Sequence, residues 1–193
     1  MDASRLLPYL VPASYVEGQD VSPDGLVRHV GHDVFMMLVH DLDGVCRNVV
    51  PDELDRTPQE AYAQAIANLE ALVRSKEISL SAIHGPRELP VLIGGGHWAA
   101  ASCLLLPRLF EVASRNLSSA ELLAAVPSRD SLLVFRRVDD DYNLEMSRFI
   151  ENAERGERKR VSNSLFSLTT RGVEPFGTVK PPPGAGFFSR LFR

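Results

Sequence analysis

Lysine is scarce in this chain: Lys76, Lys159 and Lys180 are the only three in 193 residues, so arginine supplies most of its 21 basic groups. Two cysteines, Cys46 and Cys103, give no paired zinc-ligand spacing, and each sits beside apolar residues as a buried thiol would. No apolar run approaches the roughly 20 residues that a membrane-spanning helix requires; the longest are Val34–Val39 and Trp98–Leu106. The opening MDASRLLPYLVPAS lacks a basic stretch followed by a long apolar core, so no signal peptide is expected. A net charge of −4 gives no global attraction to nucleic acid or anionic lipid. The Gly-Lys-Ser/Thr end of a phosphate-binding loop is absent, as are the spaced dinucleotide fingerprint, HExxH and Gly-x-Ser-x-Gly.

What is present describes a folded domain. Hydrophobic residues at 45% and charged residues at 24% fit an ordinary globular protein. A chain of this length buries roughly 70% of its unfolded surface without any staple. Residues 1–32 read as an irregular lead-in with one short strand, because Pro8, Pro12, Gly18, Pro23 and Gly25 punctuate it. Asp33–Leu38 and Val45–Val50 predict a β-hairpin, with Gly44 in its loop. Thr57, Pro58 and Glu60 spell a capped helix start, and Tyr62, Ile66, Leu69 and Val73 form its apolar stripe. Two more strands follow, Ile78–Ile83 and Leu89–Ile93. An Ala/Leu-rich segment after Gly94-Gly95-Gly96 contains Pro107, which kinks one helix or opens a second. Leu122–Val126 and Ser131–Arg136 read as strands.

A third helix runs from Asp139 to about Arg160, with acidic residues at its start and basic ones at its end. Tyr142, Met146, Phe149, Ile150 and Ala153 are its buried stripe. Ser164–Thr170 and Val173–Phe176 predict a last strand pair. Strands in hairpins with helices between them indicate an α+β fold, a mainly antiparallel sheet with about three packed helices. The domain spans 33–177. Residues 178–193 form a Pro/Gly linker and an apolar-basic tail.

Three stretches carry a family likeness. They are PDELDRTPQEAYAQAIANLEAL (51–72), the Gly-rich turn and Ala-Ala-Ser/Leu-Leu-Leu-Pro segment of Gly94–Phe110, and VPSRDSLLVF (126–135). Over about 33–176 the chain resembles the YtpQ-like bacterial family of unknown function. That resemblance implies a fold and supplies no reaction, cofactor or site residue.

Asp41-Leu42-Asp43-Gly44 at the end of an apolar run also matches the start of a haloacid dehalogenase active site. There Asp41 would attack phosphorus and Asp43 would act as general acid/base, with Mg²⁺ bridging. That chemistry requires a charge-balancing Lys and a second-strand hydroxyl. Lys76 follows a helix, Lys159 belongs to a basic helix end and Lys180 to the linker, so a tight hairpin turn is the preferred reading. A calcium loop fails because Gly44 comes too early and its twelfth position is Asp52. His29 and His32, three apart, read as surface residues. Gly94–His97 offers backbone N–H groups at a helix start, where anions bind, or simply a flexible turn.

Pro127-Ser128-Arg129-Asp130 gathers a hydroxyl, a guanidinium and a carboxylate. Arg129 and Asp130 are binding candidates, although a turn-closing role is favoured. In the tail, Phe187, Phe188, Leu191 and Phe192 lie among Arg190 and Arg193, a pattern suited to docking in a groove or weakly at a membrane surface. The expectation is a cytoplasmic, non-catalytic interaction or accessory protein with a protein partner. It acts through its sheet surface and tail, without cofactor or metal, and nucleic acid is disfavoured. A metal-dependent phosphohydrolase using Asp41 and Asp43 is the alternative.

Overall fold

The computed structural model describes residues 2–22, 25–42, 45–153 and 159–178. The stretch expected to be an irregular lead-in holds two strands, β1 (Leu6–Pro12) and β2 (Val27–Gly31). Both pair antiparallel with β3 (Val34–Leu42), from Leu6↔His40 to Pro12↔Val34 and from Val27↔Met37 to Gly31↔Val34. Pro8 and Pro12 do not break β1 because it lies at a sheet edge, where a missing N–H costs no ladder bond. β3 is apolar on both faces and buried through most of its length, as a central strand should be. It pairs onward with β4 (Val45–Asn48), the expected hairpin partner. Asp43 and Gly44 of its turn lie outside the described residues.

Helix α1 (Pro58–Ser75) begins as its sequence dictates. The Thr57 hydroxyl accepts from the Glu60 N–H at 3.3 Å, and the Glu60 carboxylate accepts from the Thr57 N–H at 2.9 Å. Ala61, Ala65 and Leu69 are its buried residues, while Tyr62, Leu72 and Val73 flank them half-buried. The contact line runs along the small residues because alanines let the helix approach β1 closely, and the larger side chains wedge in beside it. The Asn68 amide fastens the two by donating to the carbonyls of Ala3 and Leu6 at 2.8 and 2.9 Å.

The second sheet is built from β5 (Ser79–His84), β6 (Pro90–Gly95), β7 (Leu122–Ala125), β8 (Leu132–Arg136), β9 (Ser164–Thr169) and β10 (Gly172–Thr178). Its order is β10-β9-β7-β8-β6-β5 and every neighbour is antiparallel. Between β6 and β7, Pro107 separates a 3-10 segment, Ala100–Leu105, from α2 (Leu109–Leu117). Ala100, Ala101, Ser102, Cys103 and Leu104 are all buried, so that short segment plugs the centre of the molecule. Helix α3 (Asp140–Ala153) crosses the other face, with Tyr142, Met146 and Ile150 packed on Leu123, Leu133 and Phe135. The fold is α+β with antiparallel sheets, as expected from the hairpin grouping.

The two sheets join at Gly31–Asp33. Gly31 has φ +154 and its α-carbon faces Pro175 and Phe166 so closely that a Cβ would lie 3.0–3.1 Å from them. The His32 ring donates to the Leu165 carbonyl at 3.2 Å, and the Asp33 carboxylate accepts from the hydroxyls of Ser162 and Ser164. No helix among the described residues is long and apolar enough to cross a membrane.

Candidate functional site

The β7–β8 connection carries Pro127–Ser131, and two neighbours clamp it. The Arg129 N–H donates to the Lys159 carbonyl at 3.2 Å, and the Arg129 carbonyl accepts from the Ala101 N–H at 3.1 Å. The Ser128 and Ser131 hydroxyls meet at 2.9 Å across the turn, and Ser128 also forms a β-bridge with Arg160. With both backbone groups held, the Arg129 side chain leaves the turn in a fixed direction.

That direction leads to the first sheet. Arg129 donates through Nε to Asp130 at 3.0 Å, and the Tyr9 phenol of β1 lies close enough to act on its charge. Burial works against its charge, but Tyr9 and Asp130 outweigh it and hold the pKa above the ordinary arginine value. The side chain is only 20% exposed, while Asp130 is 46% exposed. Five N–H donors belong to a guanidinium, so this fork retains capacity beyond its bond to Asp130.

Aromatic rings extend the site in both directions. Tyr9 packs edge-on against Trp98, with ring centres 5.7 Å apart, and against Tyr15 at 6.4 Å. His97 tilts over Trp98 at 5.2 Å. The chain's single tryptophan therefore lies in a row of rings, Tyr15–Tyr9–Trp98–His97, beside the anchored arginine. Tyr15 is about half exposed. Lys159 and Arg160 are exposed on the adjacent segment. Cys46 of β4 is half-buried and feels the positive charge of Arg129 and Lys159. Burial is the larger influence and pushes its thiol above the usual range.

The glycine turn before Trp98 does not make an anion cradle. Gly96 takes φ +91, with the Glu77 carbonyl 3.2 Å from where a Cβ would sit, so a side chain is strained there. The first donors of the following segment are used locally, since the Ala99 N–H goes to His97 Nδ1 at 3.1 Å and the Ala100 N–H to the His97 carbonyl at 3.0 Å. The turn's role is to present His97 and Trp98.

Asp41 lies elsewhere, opposite Cys46 on the β3–β4 pair. It lines an open depression of about 500 Å³ with Arg5, Asn68, Ser75 and Glu77. Asn68 there is committed to the N-terminal carbonyls. The Ser75 hydroxyl lies within hydrogen-bonding distance of both the Leu72 carbonyl and Glu77. Lys76 caps α1 in a left-handed conformation. Asp43, the second residue of the dehalogenase reading, is outside the described residues, as are Phe187, Phe188, Leu191 and Phe192. His29 donates to the His32 carbonyl at 2.8 Å, so both histidines of that pair address backbone carbonyls.

Of the residues singled out in the sequence, the fold joins Arg129, with Asp130 beside it, to the segment that follows the Gly94–His97 turn, through the Ala101 N–H. Tyr9, Tyr15 and Trp98 were not singled out. The lone tryptophan beside a glycine run was an available signal, whereas a contact between residues 9 and 129 leaves no local trace. Compared with known proteins, the chain matches no family model, no curated protein and no solved structure.

Proposed function

We propose that this chain is a non-catalytic interaction protein whose working surface is the shelf around Arg129, where it grips an acidic, partly apolar segment of a protein partner. One observation carries this reading: a guanidinium bonded to Asp130, beside Tyr9 in a row of aromatic rings. An arginine aimed by its own neighbours meets a carboxylate with little ordering cost. Tyrosine and tryptophan beside it supply large, rigid contact area, the composition typical of strong interface contacts. Lys159 and Arg160 add positive charge on the same side, which favours an acidic partner.

The C-terminal Phe187, Phe188, Leu191 and Phe192 remain a second docking element on sequence grounds alone, and the YtpQ-like resemblance rests on the stretches 51–72, 94–110 and 126–135, of which VPSRDSLLVF is the most distinctive. The test is affinity capture with the full chain, with Arg129→Ala, with Trp98→Ala and with a chain ending at Gly177. A partner captured by the full chain and lost by both shelf variants supports the shelf. A partner lost only on truncation assigns the role to the tail. A capture set unchanged by either shelf variant contradicts the proposal.

A further inference from the structure

Among the described residues five strands lie at sheet edges, and four carry features that block strand addition. β1 contains Pro8 and Pro12, β2 is bulged between His29 and Gly31, β4 has four residues with Arg47 among them, and β10 is bulged between Pro175 and Gly177. β5 has none of these. It is six residues, Ser-Leu-Ser-Ala-Ile-His, in unbroken register with β6, and all but Leu80 are exposed. An uncharged edge in unbroken register is an open template for another strand.

Its bonding phase follows from one residue. Pro90 has no N–H, so His84↔Pro90 is a non-hydrogen-bonded pair. The bonded pairs are therefore Ile83↔Val91, Ser81↔Ile93 and Ser79↔Gly95, and the Gly85 N–H continues the ladder to the Leu89 carbonyl at 2.9 Å. Leu80, Ala82 and His84 thus turn their N–H and C=O groups outward.

We propose that β5 pairs antiparallel with β5 of a second copy about a two-fold axis at Ala82, extending the sheet across the dimer. This register sets Ala82 against its own copy and Leu80 against His84, so all three outward residues exchange bonds. The residues flanking the strand carry the complement. Lys76 and Glu77 precede it, Arg87 and Glu88 follow it, and two-fold antiparallel pairing brings the start of one copy to the end of the other. Lys76 of each copy then approaches the exposed Glu88 of the other, while Arg87 stays bonded to Asp139 and Glu145 of its own chain. Ala82 on the axis is small enough for the two copies to meet without a clash. A second copy is the occupant that this symmetry of hydrogen bonds and charges fits.

Sedimentation of the full chain at about 100 μM, with Ala82→Pro and Ala82→Lys beside it, tests this. Proline at 82 removes an outward N–H that β6 does not use, so the fold tolerates it at an edge. Lysine at 82 places two like charges on the axis. The wild-type chain should sediment at twice 21.3 kDa, and each variant should sediment as a 21.3 kDa monomer with an unchanged circular-dichroism spectrum. If proline disrupts the fold, the lysine variant carries the test. A monomeric wild-type chain, or a dimer that survives in a folded Ala82 variant, overturns the proposal.

Discussion

The two faces of the six-stranded sheet are covered very differently. On one face Leu92, Ala124, Val134 and Phe166 meet the Ala100–Leu105 segment, α2, α1 and the first sheet in one continuous apolar cluster. On the other a single helix, α3, rests on a smaller cluster around Phe135 and Tyr142. The thin layer is fastened at its rim by charge. Arg87, itself left-handed at φ 54, sends its Nη groups to Asp139 and Glu145, each at 3.0 Å, and lies 5.6 Å over the Tyr142 ring. The thick layer contributes the shelf, because only there do the sheets and the central plug meet. The proposed recognition surface, assembled from distant parts of the chain, stands on the face with the most redundant packing.

The largest expected effect separates the layers by substitution. Leu69→Ala empties a fully buried position in the thick layer and should cost about 3–5 kcal/mol in denaturant unfolding. Met146→Ala, equally buried beneath α3, should cost about 2–3 kcal/mol and raise amide exchange within α3 before the β7–β8 ladder is affected. Uniform exchange across α3 and the sheet in that variant would mean that the two faces are one cooperative unit.

Acid should sharpen the same contrast. The Tyr142 N–H, with Arg87 second, holds the Asp139 carboxyl below its ordinary 3.8, and the Thr57 N–H does the same for Glu60 below 4.5. Depressed folded values contribute stability that is present above the unfolded values and lost as pH falls through the folded ones. Both helix starts therefore weaken below about pH 4. Loss of Asp139's charge also loosens its bond to Arg87, so acid should accelerate exchange more in α3 than in α1. Equal acceleration in both helices would break the comparison.

The smallest effect is chemical. Burial pushes the Cys103 thiol, in the central plug, up to about 12, and Cys46 is raised less because it is only half-buried near Arg129 and Lys159. At pH 8 a thiol reagent should modify Cys46 slowly and leave Cys103 untouched until unfolding. Early labelling of Cys103 would show that the plug opens.

Much of this architecture is local and could be read directly. The Thr57–Glu60 capping box, the alternating runs around the His84-Gly85-Pro86 turn and the Asp139 start of α3 all depend on residues close in sequence. The first thirty residues were misleading because proline is a breaker only where a strand needs its N–H, and edge status is decided by the whole sheet. The α1 stripe lies slightly off its expected line because alanine spacing governs how closely a helix can approach. The shelf was half legible: Arg129 and Asp130 stood out as a polar triplet with Ser128. Tyr9 and Tyr15 join them only through the β1–β3 pairing and the clamp between Arg129 and Ala101, which are long-range consequences of the fold.

The most direct measurement pairs thermal unfolding with partner capture for Arg129→Ala. Its ion pair with Asp130 is partly solvated, so its removal should cost about 0–1 kcal/mol. The expected result is a midpoint nearly that of the wild type, with captured partner reduced at least tenfold. Full capture by a folded Arg129→Ala chain would contradict the shelf as the working surface, and Arg129 would then be a residue that only closes its turn.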